Sequence, residues 1–392
     1  MKSLIVLSMF FFTSLSAECS DLDSTECMIY PEYCEWNEEE NECQEIGGGG
    51  GDGEFGPYQI AYLTEADGIR NGPDYSDGRL YYPIGANPPL KSIVLTPGWG
   101  GGSSSMVTWA EFFASYGFIS IAIGPNDEIN DSHEMRAEGL IDAIETIKEE
   151  DYRSDSPLFG LVDPNRFIVS GYSMGGGASQ VALVLDHPYV DEAIVAAIAL
   201  NPTIIFEDCD ICTDSEYCIC LVPEFLEHDI PTLIIAGQNE INELPSYDGL
   251  LGQDIYENTP ESTLKILYEI ENGSHGSAEI SSGSVQEKVL QWVNYQLLED
   301  LSYCDSLLLT PNNASQFLTT LECDTSLSYD LNEDGEVNSS DLTSLVIFIM
   351  YNNQSINPLD INFDLEVDIF DILVFSDYLN NTNLYKEIEI PK

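Results

Sequence analysis

Residues 170–177 read Ser-Gly-Tyr-Ser-Met-Gly-Gly-Gly, a stretch that contains the pattern Gly171-x-Ser173-x-Gly175. An apolar run, 166–169, stands directly before it, and a second apolar segment, 178–185, directly after it. The serine therefore falls on a sharp turn between a strand and a helix. Glycines on either side let the backbone fold tightly, so that the hydroxyl stands up at the C-terminal edge of a sheet. Amides at the start of the following helix point at the same spot and favour negative charge developing there. Residue types in this arrangement are those of a serine nucleophile, and Ser173 is the expected one. A plain glycine-rich turn leaves the flanking strand and helix unexplained.

A serine nucleophile needs a base, and the chain has four histidines. His275 follows the strand-like segment 264–270, lies in loop 271–277 and precedes an amphipathic helix expected over 284–298. His187 ends the helix after the turn, His228 lies just before Pro231, and His133 comes too early in the chain. Those three read as solvated or helix-end histidines. The base in turn needs a carboxylate to hold its tautomer and stabilise the imidazolium. Strand 231–236 runs into loop 237–243, and Glu240 is the choice there, with Glu243 and Asp248 as alternatives. A second backbone donor for an oxyanion is expected after the third strand, 91–96, in Pro97-Gly98-Trp99-Gly100-Gly101-Gly102. The amides of Trp99 and Met174 form the expected pair, and the Trp99 ring is read as one wall of a cleft where an aromatic acyl group could stack.

The order serine, acid, histidine is that of the α/β-hydrolases. Within them, residues 56–323 resemble the polyester hydrolases of the cutinase and PET-hydrolase group. The resemblance rests on Pro97-Gly98-Trp99, Gly171-Tyr172-Ser173-Met174-Gly175-Gly176-Gly177, Ile230-Pro231-Thr232-Leu233-Ile234 and Gly273-Ser274-His275, in content and in spacing. It implies ester hydrolysis in an open cleft that tolerates bulky polymeric acyl chains, without a cofactor for catalysis. It also implies a C-terminal disulfide, Cys304–Cys323, which would close a loop of about 20 residues and contribute on the order of 3 kcal/mol. The departures are specific. Position 99 is Trp where many relatives have Tyr or Phe, and the acid is Glu rather than Asp. Thr203, after Asn201-Pro202, stands where many relatives place a substrate-stacking Trp, so Trp99 and Thr203 are the expected substrate-binding residues. Gly237 and Ser277 stand near the place of a Cys pair that ties the acid loop to the His loop in one subgroup. The insertion 206–221 has no counterpart. These changes preserve the chemistry, but efficient cleavage of aromatic polyesters does not follow from them.

The expected organisation is a signal peptide, 1–17, with a basic start, a short apolar core and a small residue at the cut. A Cys-rich module (18–46), a glycine-rich linker (47–55), the α/β-hydrolase domain (56–324), a calcium-binding module (325–382) and a tail (383–392) follow. The leader is too short to span a bilayer, and no later segment reaches about 20 apolar residues, so a secreted protein without a membrane span is expected. Ten cysteines suit an oxidising compartment. Cys209, Cys212, Cys218 and Cys220 lie in the insertion, where disulfides are weighed above a zinc site. Cys19, Cys27, Cys34 and Cys43 surround Trp36 in a segment too small to fold on apolar burial alone, with three possible connectivities.

The C-terminal segment carries a second pattern. Asp330, Asn332, Asp334, Glu336, Asn338 and Asp341 fall within one twelve-residue loop, with Gly335 at its sixth position. Oxygen side chains at positions 1, 3, 5, 9 and 12 around that glycine make the EF-hand calcium pattern, here with Asp in place of Glu at the end. Thirty residues on, Asp360, Asn362, Asp364, Glu366, Asp368 and Asp371 repeat it, with Leu365 where glycine is usual. Each loop leads into an apolar helical run, 342–351 and 372–379. Two such repeats resemble a type I dockerin, which implies structural Ca²⁺ and a cohesin-like partner.

Twelve basic residues against 69 acidic ones give a net charge of −57. Nucleic acid and anionic membranes are poor partners for such a surface, and salt would relieve its self-repulsion. The expected architecture is a mostly parallel central sheet flanked by helices, between two small appended modules. The expected activity is that of a secreted serine carboxylic-ester hydrolase acting on an ester or polyester. Its competitors are a carbohydrate esterase removing acetyl or feruloyl groups and a non-catalytic surface or scaffold protein.

Overall fold

The computed structural model describes residues 55–204, 206–207 and 219–323, strand residues 34–37 and 42–45, and residues 331–332, 337–351, 367, 369, 371–376 and 379. The chain divides into two compact units, Met1–Phe55 and Gly56–Lys392. In the first, β1 (Cys34–Asn37) pairs antiparallel with β2 (Glu42–Glu45), which sets Trp36 opposite Cys43. The expected leader, Cys19, Cys27, the glycine linker 47–51, and Cys209, Cys212 and Cys218 lie outside the described residues.

The second unit is built on strands β3 (Ile60–Leu63), β4 (Ser76–Pro83), β5 (Leu90–Thr96), β6 (Ile119–Gly124), β7 (Val162–Tyr172) and β8 (Ile194–Leu200). A separate short pair, β9 (Phe206–Glu207) and β10 (Ile219–Cys220), follows, and then β11 (Thr232–Gly237), β12 (Lys265–Ile270) and β13 (Ala314–Thr319). The main sheet runs in the order β13-β12-β11-β8-β7-β5-β6-β4-β3. From β12 to β6 every neighbouring pair is parallel, while β13, β4 and β3 add antiparallel edges. The central strands are near-continuous Ile, Val, Leu and Ala because both of their faces are covered.

Around the sheet lie α1 (Val107–Ser115), α2 (His133–Glu150), α3 (Met174–Val181), α4 (Pro188–Glu192), α5 (Glu240–Glu243), α6 (Gly252–Asn258), α7 (Gly283–Leu297) and α8 (Cys304–Leu308). Alternate strand residues feed two cores. Ile93 and Leu95 pack with Trp109 and Phe113 of α1 and Trp292 of α7, whereas Val94 packs with Leu140, Ile144 and Ile147 of α2. The helix after Ser173 was expected to end at His187. It is α-helical to Val181 and then tightens to a 3₁₀ turn, Ala182–Val184. Two buried lysines satisfy carbonyls that short helices leave open at their C-termini. Lys265 donates to Tyr256 O and Thr259 O after α6, and Lys288 to Ser306 O, Leu307 O and Leu309 O around α8. The Cys304–Cys323 disulfide is formed, joining α8 to the segment after β13.

The chain leaves β5 for β6 on one side of it and later places β7 on its other side. The connections therefore diverge at the carboxyl ends of β5 and β7, which opens a crevice where ligands bind in sheets of this kind.

Beyond residue 330, α9 (Ser339–Tyr351) and the helical residues 371–376 pack together. Leu345 and Phe375 are buried between them, with Leu342, Ile349 and Ile372 alongside.

Candidate active site

Ser173 sits at the turn from β7 into α3 with φ 54° and ψ −117°, a conformation that side-chain-bearing residues rarely adopt and that costs about 1–3 kcal/mol. The flanking glycines make the turn possible. A Cβ at Gly171 would meet Gly175 O at 2.3 Å, and one at Gly175 would meet Thr96 O at 2.2 Å, so any larger residue would force the turn off β5. Backbone bonds then hold the strained residue: Ser173 N donates to Leu200 O at 2.8 Å, and Ser173 O accepts from Gly177 N and Thr203 N at 3.0 Å.

The structure brings Ser173, His275 and Glu240 together. His275 Nε2 lies 2.8 Å from Ser173 Oγ, and its Nδ1 lies 2.8 Å from Glu240 Oε2. The imidazole thus bridges the hydroxyl and the carboxylate, one ring nitrogen to each. Its backbone is held from both sides, since His275 N donates to Glu243 Oε2 at 2.9 Å and Tyr172 Oη donates to His275 O at 3.1 Å. Burial, and then the nearby Glu279 charge, raise the Tyr172 phenol above its ordinary range, so it stays a donor. Glu243, an alternative acid at the sequence level, holds the loop backbone. Asp248, the other alternative, is exposed beyond the 3₁₀ turn Pro245–Tyr247.

Glu240 begins α5 and is 1 % exposed. Its Oε1 accepts from Gly237 N and from Asn201 Nδ2, each at 2.5 Å. Asn201 is a partner of Glu240 that the motifs did not reveal. It is fully buried at the end of β8 with φ 42°, a left-handed conformation that Asn tolerates better than most residues. Its amide nitrogen also lies 3.4 Å from Ser274 O and 3.3 Å from Ser277 Oγ, while its Oδ1 accepts from Ala278 N at 2.8 Å. One side chain thereby ties the acid to the histidine loop. Backbone contact completes the tie: Asn239 N donates to Gly273 O at 2.8 Å, and a Cβ at Gly237 would stand 2.4 Å from Ser274 O. The sequence signal was an Asn at the carboxyl end of a buried strand, next to Pro202.

The amides expected to donate to an oxyanion lie on Met174, the first residue of α3, and on the loop after β5. That loop lies against the nucleophile, since a Cβ at Gly98 would stand 3.0 Å from Ser173 Cβ. Trp99 is 65 % exposed, and its Nε1 donates to Ile129 O at 3.1 Å, so the ring is fixed at its polar edge and open on its faces. Thr203 was expected to meet substrate. The structure instead buries it to 3 % exposure, with its amide on Ser173 O and its carbonyl on His133 Nε2. Position 203 braces the backbone of Ser173 from behind.

Two of the remaining three histidines differ from expectation. His187 caps α4, its Nδ1 accepting from Tyr189 N at 3.2 Å. His133 and His228 are buried rather than solvated, and burial lowers the pKa of each to about 4. His133 opens α2 and packs against the loop at Thr203, which is why it is not a solvated helix end.

In the C-terminal loops Asn332, Asn338, Asp341 and Asp371 are described, whereas Asp330, Asp334, Glu336, Asp360, Asn362, Asp364, Glu366 and Asp368 lie outside the described residues. Asp341 and Asp371 are buried. Asp341 Oδ1 accepts from Asn332 N at 3.1 Å and Oδ2 from Asn338 N at 2.8 Å, so the twelfth loop position folds back onto the third and the ninth. Among the described residues no group of three or more His, Cys, Asp or Glu is gathered as for a metal ion, and no helix is long and apolar enough to cross a membrane.

Residues 54–213 match the PET hydrolase-like family. Among characterised proteins, cutinase est1 of Thermobifida alba is 28% identical over 258 residues, covering 65% of this chain and 76% of that protein. Cutinase cut1 of Thermobifida fusca is 24% identical over 66% of this chain and 71% of its own length. The bis(hydroxyethyl) terephthalate hydrolase of Streptomyces coelicolor is 24% identical over 63% and 70%. Carried on a mostly parallel sheet with a sharp serine turn at its switch point, an arrangement consistent with the α/β-hydrolase fold, these similarities are to the cutinase and PET-hydrolase group.

Proposed function

We propose that the protein is an exported serine carboxylic-ester hydrolase working through Ser173, His275 and Glu240. The observation that carries this reading is the pair of 2.8 Å contacts on His275, one to Ser173 Oγ and one to Glu240 Oε2. Ser173 Oγ attacks the ester carbonyl carbon as its proton passes to His275 Nε2. Glu240 stabilises the imidazolium through Nδ1–H, and the Trp99 and Met174 amides receive the oxyanion. Collapse expels the alcohol, protonated by His275, and leaves an acyl-serine. A water deprotonated by His275 then attacks that ester and releases the acid. A catalytic arrangement of this completeness argues against a scaffold role.

The open faces of Trp99 suit a flat or extended acyl chain, and relatives named for cutin and terephthalate esters favour a polyester over a sugar ester. Turnover on short p-nitrophenyl esters, an aliphatic polyester film, PET and acetylated xylan tests this. Activity on the soluble esters and the film is expected, and preference for acetylated xylan would overturn the substrate class.

At the C-terminus, a dockerin-like, calcium-binding module with a cohesin-like partner is proposed for 325–382. It is supported by the packing of Leu345 on Phe375 and by two buried position-12 aspartates. Hard oxygen donors fit Ca²⁺, and Asp341 and Asp371 would be among its ligands, where the ion's role is structural. EDTA should increase proteolysis beyond about residue 325 and leave soluble-ester turnover unchanged.

A further inference from the structure

Arg136 belongs to α2, yet its guanidinium is 1 % exposed and reaches across to the loop after β5. Its Nη1 donates to Pro97 O at 3.2 Å and to Gly98 O at 3.4 Å, its Nη2 to Glu128 O at 2.9 Å and its Nε to Asp131 O at 3.3 Å. All four acceptors are backbone carbonyls. Burying a guanidinium costs several kcal/mol unless its donors are satisfied, and here they are satisfied by peptide oxygens rather than by a carboxylate at salt-bridge distance. Desolvation lowers its pKa, but an arginine remains charged at any working pH.

The peptide from Gly98 to Trp99 is the one that matters. In a planar trans peptide the carbonyl and the following N–H point in opposite directions. Anchoring Gly98 O on Arg136 therefore turns the Trp99 N–H away from the guanidinium, out of the loop. Gly98 O also accepts from Gly101 N at 3.2 Å, and Gly100 N donates to Glu128 O at 2.8 Å, an oxygen that Arg136 holds as well. Both walls of the loop are thus tied to a single planar cation. A lysine offers one point charge without the fork and cannot reach these separated oxygens together.

We infer that Arg136 is a positioning residue for ester cleavage: it fixes the 97–99 backbone so that the Trp99 amide is preset for the oxyanion. The inference rests on the proposed triad and on the Trp99 and Met174 oxyanion site. Preset donors count for more in the transition state than in the ground state, so their loss falls on kcat rather than on KM.

The test measures p-nitrophenyl ester kinetics, inhibition by phenylboronic acid and thermal melting for the full chain, its S173A variant, R136M and R136K. Boronic acid becomes tetrahedral on the serine oxygen and reports oxyanion-site geometry, which a purely structural defect would leave untouched. R136M should lower kcat about 100-fold with KM within about threefold, and should weaken boronate inhibition in parallel. R136K should lie between R136M and the parent. If R136M does not fold, R136K decides, with at least about a fivefold loss of kcat at unchanged KM expected. Folded variants with kcat within about threefold, or a loss of kcat with boronate inhibition intact, would overturn the role of Arg136. Activity retained by S173A would instead overturn the triad itself and this inference with it.

Discussion

The two sides of the site are built by different physics. On the nucleophile side, a few consecutive residues do the work: Gly171 and Gly175 admit the close backbone approach to β5, and Ser173 takes a strained φ of 54°. On the acid and histidine side, nothing local suffices. Glu240 and His275 come from separate strands, and Asn201 from a third, 39 residues before the acid and 73 before Ser274. The proposed nucleophile is presented by backbone sterics, whereas the proposed base is aligned by a web of single hydrogen bonds. A steric device tolerates change poorly at its glycines, while a web should fail in graded steps as its members are removed.

The largest effect is expected from Ser173→Ala, which should lower soluble-ester turnover by about 10⁴-fold or more with melting unchanged. Retention of over about one per cent of activity would sink the nucleophile assignment. Glu240→Gln comes next, with a loss of about 10³- to 10⁴-fold in kcat, because the imidazole loses the charge that favours its protonated form. Asn201→Ala should sharpen the contrast between the two sides. It leaves the elbow intact but unties the acid from the His loop, so kcat should fall about 10- to 100-fold, with about 1–3 kcal/mol lost in stability. Full activity in that variant would show that Gly237 N and the loop backbones align Glu240 by themselves.

Behind the nucleophile, His133 offers a pH-dependent test. Its folded pKa is about 4, against an ordinary 6.5, because burial disfavours the charged ring. Between those values the unfolded chain binds a proton that the folded one does not, so stability present above pH 6.5 is lost as pH falls towards 4. His133→Gln should flatten the fall of Tm across that window by several degrees relative to the parent, whatever its Tm at pH 7. An unchanged slope would show that His133 takes up its proton without unfolding. The smallest effects belong to Asp248→Asn and Glu243→Gln, both within about threefold in kcat, since Asp248 is exposed and a Gln oxygen can still accept from His275 N. A crippled Asp248→Asn would move the acid away from Glu240.

Much of the molecule was legible from residue order alone. The strand–turn–helix around Ser173 is encoded within about a dozen adjacent residues, and sterics at that range do not depend on the rest of the chain. The parallel sheet follows from apolar strands alternating with helices, and the order of Ser173, Glu240 and His275 named the partners before their distances were known. The acidic balance is a property of composition and needs no fold. Tertiary structure decided what depends on distant segments meeting. It buried Thr203 behind the nucleophile where an exposed contact was expected, and sent His133 and His228 inside. It gave Asn201 four contacts in the histidine loop and its acid, and it set Arg136 of α2 under the carbonyls of Pro97 and Gly98. Local pattern reports which face of an element is apolar. Which polar group a buried Asn or Arg will meet is set by how the connections after β5, β8, β11 and β12 converge at one end of the sheet, and no window of adjacent residues contains that convergence.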